Sequence, residues 1–248
     1  MTTLRIAVLG DIHGNIAALD AALLDIEKAK PDRLFITGDL VLNGPRPADT
    51  MRRVMDLDRA GALVIAGNTD IAVADGDYAA AFPWLDEVPA GHRAAADWAR
   101  DQLSLAELEY LRRLPAERRI WVDDTLVLLC HASPGSQTAG LPADLDPSTT
   151  VERVTRSDAR VICCGHTHVA DVRELGRKLI LNPGSCGYAL DGDAGAGWAL
   201  LTVADDTPTA ELFRTTYDAQ AVADEISQRG LIGDVYRAAT VRKGQLVR

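Results

Sequence analysis

The chain has 248 residues, of which 47% are hydrophobic and 25% are charged, so it is long enough to bury a substantial core. Its 26 basic and 36 acidic residues give a formal net charge of -10, which argues against extended duplex nucleic acid or an anionic membrane as a partner. No apolar run approaches the roughly 20 residues of a membrane span, and the chain opens on a strand pattern rather than a leader, so we expect a cytoplasmic protein. A small phosphorylated substrate remains compatible with this charge, because bound cations reverse its sign locally.

Short apolar runs alternate with segments of helical periodicity in the first 70 residues. The apolar runs 4–10, 33–39 and 62–68 predict strands, and the segments 16–30 and 47–61 predict helices. Strands that alternate with helices in this way predict a parallel sheet covered by helices.

The segment 71–118 interrupts this alternation. Helical spacing around 92–103 and 104–114 predicts two helices, and Ser104 and Glu107 have the spacing of a capping box. We therefore expect a helical insertion over the sheet, with His92 at its surface. Its large aromatic residues either line a substrate cleft or, as we favour, pack the insertion onto the sheet: they are Trp84, Trp98 and Tyr110.

The second half of the chain predicts further strands and a closing helix. The apolar runs lie at 125–131, 159–168, 178–185 and 197–205. Their short connections favour antiparallel pairing. The closing helix is predicted at 218–230, with Asp218 as N-cap and Gly230 as C-cap. Because no repeat or linker divides the sequence, we expect residues 1–248 to form one domain.

Potential metal ligands follow five of the predicted strands. They are Asp11, His13, Asp39, Asn68, His131, His166 and His168. Each residue alone is more simply explained as a turn former, a helix cap or an ordinary histidine, but all of them together at strand ends favour a site at one edge of the sheet. Imidazole with carboxylate suits Mn, which we favour, or Fe, Zn, Co or Ni. Seven donors exceed one tetrahedral site and predict two divalent ions that share a carboxylate.

These residues lie in five sequence blocks: DIHGN at 11–15, GD at 38–39, GN at 67–68, CH at 130–131 and GHTH at 165–168. The set and its order resemble the calcineurin-like metallophosphoesterase superfamily, from residue 4 to about 185. The resemblance implies an α/β fold in which a two-sheet β-sandwich is flanked by helices. It also implies a ligand set: Asp11, His13 and His168 for the first metal, Asn68, His131 and His166 for the second, and Asp39 as the bridge.

Two positions differ from the protein Ser/Thr phosphatases of that superfamily. Asn43 stands where those enzymes have an arginine, and Thr69 stands where they have a histidine that is proposed to protonate the leaving group. Threonine cannot act as a general acid near pH 7, so the chain is more similar to the small prokaryotic phosphodiesterase branch. Asp70 or a metal-bound water would then have to supply the proton.

The resemblance implies a hydrolase that cleaves phosphodiesters by attack of a metal-bound hydroxide, with Asp39, Asn68 and Asp70 as catalytic residues. One alternative is a metal-binding scaffold or interaction protein on the same fold, as in the related retromer subunit. A second alternative is a dinucleoside polyphosphate hydrolase, which needs cations near the site. The candidates for these cations, each more simply a solvated surface charge, are Arg46, Arg118 and Arg119.

Overall fold

Two β-sheets form the centre of the fold, and helices cover their outer faces. The computed structural model describes residues 3–204 and 207–247. The strands in this part of the chain are β1 (Leu4–Leu9), β2 (Arg33–Ile36), β3 (Leu63–Val64), β4 (Glu117–Val122), β5 (Thr125–Cys130), β6 (Val161–Cys163), β7 (Ala170–Leu175), β8 (Lys178–Pro183), β9 (Ala196–Ala204) and β10 (Thr207–Thr215). The helices are α1 (Ile16–Ala29), α2 (Pro47–Arg59), α3 (Asn68–Asp75), α4 (Tyr78–Ala81), α5 (Ala90–Gln102), α6 (Leu105–Arg113), α7 (Pro147–Val154), α8 (Ala219–Arg229) and α9 (Asp234–Lys243).

Each sheet has five strands and mixes parallel with antiparallel pairs. The first has the order β10-β9-β1-β2-β3 and the second has the order β4-β5-β6-β8-β7. The predicted strand and helix alternation is confirmed, because β1, β2 and β3 pair in parallel. Antiparallel pairing in the second half is confirmed for β4 with β5, β7 with β8 and β9 with β10. The two mixed sheets with flanking helices are the predicted sandwich.

Strand β1 shows why the central strands are apolar along their whole length. Ile6 and Val8 point into the core between the two sheets, where they share a buried cluster with Leu129. Ala7 and Leu9 point to the opposite face, into the core under the helices. Successive residues of a strand face opposite sides, so a strand covered on both faces needs apolar residues at every position.

Three strands were missing from the sequence prediction, and all three are edge strands. They are β4, β7 and β10. Their burial patterns are mixed, and the polar sequence ERRIWV of β4 is typical. Because one side of an edge strand faces solvent, it lacks the continuous apolar run that identified the central strands. Helix α7, which is short, was also missing.

The boundaries of the helical insertion differ from the prediction. Helix α3 already begins at Asn68, and β4 begins at Glu117, so residues 117–118 belong to the second sheet. The capping box is confirmed, because the Ser104 hydroxyl accepts from the Glu107 amide while the Glu107 carboxylate accepts from the Ser104 amide. His92 is exposed as predicted, although its ring meets Phe82 edge to face.

Helix α8 matches the predicted closing helix but does not close the chain. The Asp218 side chain accepts a hydrogen bond from the Ala221 amide, and Gly230 ends the helix in a left-handed conformation. Helix α9 follows and packs against α8, which the prediction missed. All four cysteines are buried and none forms a disulfide. None of the helices in the described ranges is long and apolar enough to cross a membrane.

Candidate metal centre

The seven predicted ligands converge where five strands end. Asp11 and His13 follow β1, and Asp39 follows β2. The remaining ligands are Asn68 at the start of α3 after β3, His131 after β5, and His166 and His168 after β6. Six of the seven are buried, and His166 is half-buried at the rim. The carboxyl ends of strands from both sheets therefore build one site.

One group of ligand atoms lies around the Oδ2 atom of Asp39. Asp11, His13, Asp39 and His168 each offer one atom, and these atoms all lie within 4.8 Å of one another. His13 Nε2 is 3.1 Å from His168 Nε2 and 3.5 Å from Asp39 Oδ2. His168 Nε2 is 3.5 Å from Asp11 Oδ1.

A second group lies around the other carboxylate oxygen of Asp39. His131 Nε2 is 3.4 Å from Asp39 Oδ1 and 3.0 Å from Asn68 Oδ1. His166 Nδ1 is 3.0 Å from the same Asn68 oxygen and 3.3 Å from His131 Nε2. The Asn68 amide nitrogen donates to the Ala81 carbonyl at 2.8 Å, which turns the amide oxygen toward the two imidazoles.

Backbone carbonyls fix the orientation of three of the imidazoles. His13 Nδ1 donates to Leu42 at 2.9 Å, and His168 Nδ1 donates to Tyr188 at 2.6 Å. His131 Nδ1 donates in the same way to the carbonyl of Thr37 at 2.8 Å. A carbonyl can only accept, so each Nδ1 carries the hydrogen and each Nε2 faces the centre, where it offers a lone pair whenever the ring is neutral. Such carbonyl partners also fix the tautomer of histidines that bind metals.

The facing atoms are acceptors, and this is the observation that fits a cation. The Nε2 lone pairs of His13 and His168 meet at 3.1 Å, and that of His131 meets the Asn68 amide oxygen at 3.0 Å. Neutral acceptors repel one another at such distances unless a positive charge lies between them. The residues present therefore fit divalent metal ions of the type that accepts nitrogen and oxygen ligands.

The backbone around the centre adopts conformations that are costly for residues with a side chain. Five of the eight non-glycine residues with positive φ in the described chain are predicted ligands: Asp11, His13, Asp39, His166 and His168. Such strain concentrates at functional sites. Glycines allow the close approach of the loops, since a Cβ on Gly67 would lie 2.1 Å from Asp39 Oδ1 and one on Gly165 would lie 2.5 Å from Asp11 Oδ2.

Burial and charge shift the pKa values of the ligands. Burial raises the pKa of Asp11 well above its usual range, and the charge of Asp39 adds to this effect. Burial would also raise the pKa of Asp39, but the neighbouring imidazoles, His131 first, lower it to about 2. Burial lowers the pKa of His166 to about 4 and that of His168 to about 3. Both imidazoles are therefore neutral at pH 7, as metal binding requires.

Asp70 lies beneath the ligands, with both carboxylate oxygens occupied. Its Oδ2 accepts from the amides of Asp39 at 2.9 Å and Gly67 at 2.8 Å, and its Oδ1 accepts from the amide of Leu40 at 2.9 Å. Burial and the charge of Asp39 raise the pKa of Asp70 to about 7. The carboxylate joins the loops after β2 and β3, while its role as a proton donor stays a prediction.

Thr69 is also buried, and its backbone faces the centre. The Thr69 amide donates to Asp39 Oδ1 at 2.9 Å, so the backbone helps to orient the Asp39 carboxylate. Its hydroxyl has no hydrogen-bond partner among the residues described. The absence of an acidic side chain at this position follows directly from the sequence.

The three candidate cations for a phosphate chain are engaged elsewhere. Arg46 pairs with Glu225 of α8 at 2.8 Å. Arg118 donates to the carbonyl of Val64 at 3.2 Å, and Arg119 pairs with a neighbour in β4 at 3.0 Å. These contacts agree with the simpler interpretation of the three residues as structural or surface charges.

The aromatic residues of the insertion divide between the two predicted roles. Trp98 and Tyr110 pack against the helical core, and the Arg229 guanidinium lies 4.5 Å from the centroid of the Trp98 ring system. Trp84 is different, because it is 55% exposed and its ring centroid lies 5.9 Å from that of His166. Packing explains the first two residues, and Trp84 borders the candidate site.

Sequence reasoning missed supporting residues in the last third of the chain. The Tyr188 ring lies 5.6 Å from the ring of His13, a contact that no local motif predicts. Arg229 donates to the carbonyls of Asn43 at 3.0 Å and Gly44 at 2.8 Å. Arg237 donates to the Asn43 side chain at 3.3 Å. Arg237 lies in α9, which was not predicted, and Arg229 ends the predicted α8, but no local motif connects either residue to the loop after Asp39.

Comparison with known proteins connects this geometry to a family. A sequence model described as the calcineurin-like phosphoesterase superfamily domain matches residues 4–206. The uncharacterized protein MJ0912 of Methanocaldococcus jannaschii is 26% identical over 246 residues, which cover 93% of this chain and 95% of that protein.

Two further similarities are more limited in what they show. A metallophosphoesterase from Sphaerobacter thermophilus has a crystal structure similar to this fold, with a TM-score of 0.75 and 24% identity over 98% of this chain and 100% of that one. The symmetrical bis(5'-nucleosyl)-tetraphosphatase of Aliivibrio salmonicida is 43% identical over 67 residues. That match covers 25% of this chain and 23% of the tetraphosphatase, so it compares only a fraction of either protein.

Proposed function

This chain belongs to the calcineurin-like phosphoesterase superfamily, and from that premise we propose that it hydrolyses phosphodiesters of small molecules with two divalent transition-metal ions. One observation carries the proposal. The two oxygens of the Asp39 carboxylate face different ligand groups, Oδ2 toward His13 at 3.5 Å and Oδ1 toward His131 at 3.4 Å. A carboxylate divided in this way suits a bridge between two ions.

The donor atoms favour manganese, with iron, zinc, cobalt or nickel as alternatives. Each group combines imidazole nitrogen with carboxylate or amide oxygen, whereas calcium and magnesium prefer oxygen alone. When bound, a pair of such ions would withdraw charge from a phosphoryl group and lower the pKa of water. The first group would use Asp11, His13 and His168, and the second would use Asn68, His131 and His166, with Asp39 shared.

Two hydrogen bonds within the chain position groups of the centre. The Ala81 carbonyl orients the Asn68 amide, and the Thr69 amide orients the Asp39 carboxylate, so both groups are held before substrate arrives. Thr69 stands where the protein Ser/Thr phosphatases of the superfamily have a histidine, and it offers only a hydroxyl. General-acid catalysis typically raises the reaction rate by about 10²- to 10⁴-fold. We therefore expect slow turnover and a preference for esters whose leaving groups need little protonation.

A metal and substrate panel tests this proposal. The protein is stripped of metal with a chelator and reloaded with Mn, Co, Ni, Zn or Mg, and the bound metal is counted by mass spectrometry. Each form is then assayed on the diester bis(p-nitrophenyl) phosphate and on the monoester p-nitrophenyl phosphate. We expect close to two ions per chain and faster hydrolysis of the diester, most of all with manganese. A single bound ion, or monoester hydrolysis that exceeds diester hydrolysis with every metal, would contradict the proposal.

A dinucleoside polyphosphate substrate is the second candidate function. The local similarity to the tetraphosphatase favours it, whereas the engagement of Arg46 with Glu225 weakens it. Adding bis(5'-adenosyl) tetraphosphate to the panel separates the candidates, because this second function requires that it be hydrolysed faster than the simple diester. A scaffold protein on the same fold would show neither activity and would not need its full complement of metal to fold.

A further inference from the structure

Trp84 borders the candidate centre, and much of its side chain is exposed to solvent. It lies in the segment between α4 and α5, and 55% of its surface is accessible. Its ring centroid is 5.9 Å from that of His166, the half-buried ligand at the rim. Leaving so much of a large apolar side chain in water forgoes the stabilisation that burial would give. A ligand that covers the indole would recover it.

The position of Trp84 is tied to the metal centre by the chain that leads to it. The Asn68 side chain donates to the carbonyl of Ala81, the last residue of α4, at 2.8 Å. Phe82 follows and is buried in the core under the helices. Its ring meets the Trp84 indole edge to face, with centroids 5.8 Å apart. Contacts that run from Asn68 through Ala81 and Phe82 therefore place Trp84 next to the centre.

The ring contacts of Trp84 leave it able to stack. Phe82 lies at 89° to the indole plane and His166 at 72°, so neither neighbour among the described residues is stacked on it. Trp198, by contrast, is stacked on Phe213 at an angle of 11° and is 2% exposed. An exposed indole whose neighbours meet it edge to face offers a platform for a planar ring.

We propose that Trp84 forms a stacking subsite for a planar aromatic group carried by the substrate phosphate, such as the base of a nucleotide. This inference rests on the proposed phosphoesterase function. A phosphate held by the ligand groups would lie beside His166, and its base would then lie toward the indole, whose centroid is 5.9 Å from that of the His166 ring. Stacking on an aromatic side chain tolerates any base, because every base has a π-face. The subsite therefore selects nucleotides as a class.

Equilibrium binding of two probes that differ only in the base tests the subsite. Adenosine 5'-monophosphate and ribose 5-phosphate are titrated calorimetrically into the Mn-loaded protein and into Trp84→Ala, Trp84→Phe and Trp121→Ala. Trp121 is a matched control, because it is 69% exposed on β4 and lines a cavity of about 320 Å³ with residues outside the metal centre. Thermal unfolding of each variant checks that it folds.

We expect Trp84→Ala to lower the affinity for adenosine monophosphate at least about five-fold, because base stacking is lost. The affinity for ribose 5-phosphate should not change, because the phosphate contacts remain. Trp84→Phe should retain most of the affinity, and Trp121→Ala should retain all of it. Equal weakening of both probes, or no change in either, would overturn the subsite. If the wild-type protein hydrolyses diesters yet binds both probes equally, the subsite alone fails. If it binds neither probe and hydrolyses no ester, the proposed function fails as well.

Discussion

The three hydrogen bonds to Asp70 make Asp70→Asn the most informative single substitution. Asparagine keeps the shape of the side chain but replaces one acceptor oxygen with an NH₂ group. One of the amides of Asp39, Leu40 and Gly67 then faces a donor instead of a carboxylate. A buried donor left unsatisfied costs about 1–3 kcal/mol. The raised pKa of Asp70 means that burial and the charge of Asp39 disfavour its ionised form, so removing that charge offsets part of the cost. We therefore expect the free energy of unfolding to fall by about 1–2 kcal/mol.

Thermal unfolding measures the loss of stability in Asp70→Asn, and manganese titration measures the effect on metal affinity. For a chain of this size, roughly 1 kcal/mol corresponds to about 2–4 °C, so Tm should fall by about 2–8 °C. Manganese affinity should fall too, because Asp70 holds the backbone amide of Asp39. Asp75→Asn is the matched control on the same helix, where the carboxylate makes an exposed ion pair with Arg112 that is worth no more than about 1 kcal/mol.

Two results would refute this reasoning. A Tm and a manganese affinity that match those of the wild type would mean that the three amide contacts do not support the centre. Normal stability combined with a selective loss of turnover for esters with poor leaving groups would instead identify Asp70 as the proton donor.

The remaining predictions concern charge, proton transfer and pH. Asp39→Asn removes the charge shared by two cations, so metal content and turnover should both collapse; a variant with two ions and more than about a tenth of the wild-type rate would contradict the bridge. Thr69→His should accelerate hydrolysis most for poor leaving groups, and an equal effect on activated aryl esters would exclude a role in protonation. The pKa values of His166, about 4, and His168, about 3, mean that protons compete with metal at these two ligands only in more acidic solution than for a free imidazole. Manganese titrations from pH 5 to 7.5 should show binding that persists below about 6.5, and a loss centred near that free value would contradict the burial effect.

The sequence predicted the central strands and the ligands for the same physical reason. A strand covered on both faces is apolar throughout, as Ile6 to Leu9 are, and a polar residue at its end is then conspicuous. The edge strands β4, β7 and β10 were not predicted, because only part of each strand is buried. The Arg residues in β4 make it look like an exposed segment, although it pairs along its whole length with β5.

The supporting contacts of the centre could not be predicted, because they depend on where distant loops meet. Asp70 was recognised as part of a motif, but its role as an acceptor for Leu40 follows from the meeting of α3 with the loop after β2, 30 residues away in the chain. The carbonyls that orient His13 and His168 belong to Leu42 and Tyr188, and a carbonyl carries no sequence signature. Sequence identifies chemical groups, while folding decides which backbone atoms hold them.

The C-terminal helical pair has a consequence for the stiffness of the centre. Helices α8 and α9 lie beyond the matched region 4–206. Arg229 and Arg237 nevertheless donate hydrogen bonds to Asn43. The carbonyl of the preceding residue, Leu42, orients His13. Arg237 also donates to the carbonyl of Gly91 in the insertion. The stiffness of the centre is thus divided between the part of the chain that supplies every ligand and a C-terminal helical pair that braces it. A substitution in α8 or α9 can therefore alter the geometry of the centre without changing any of its ligands.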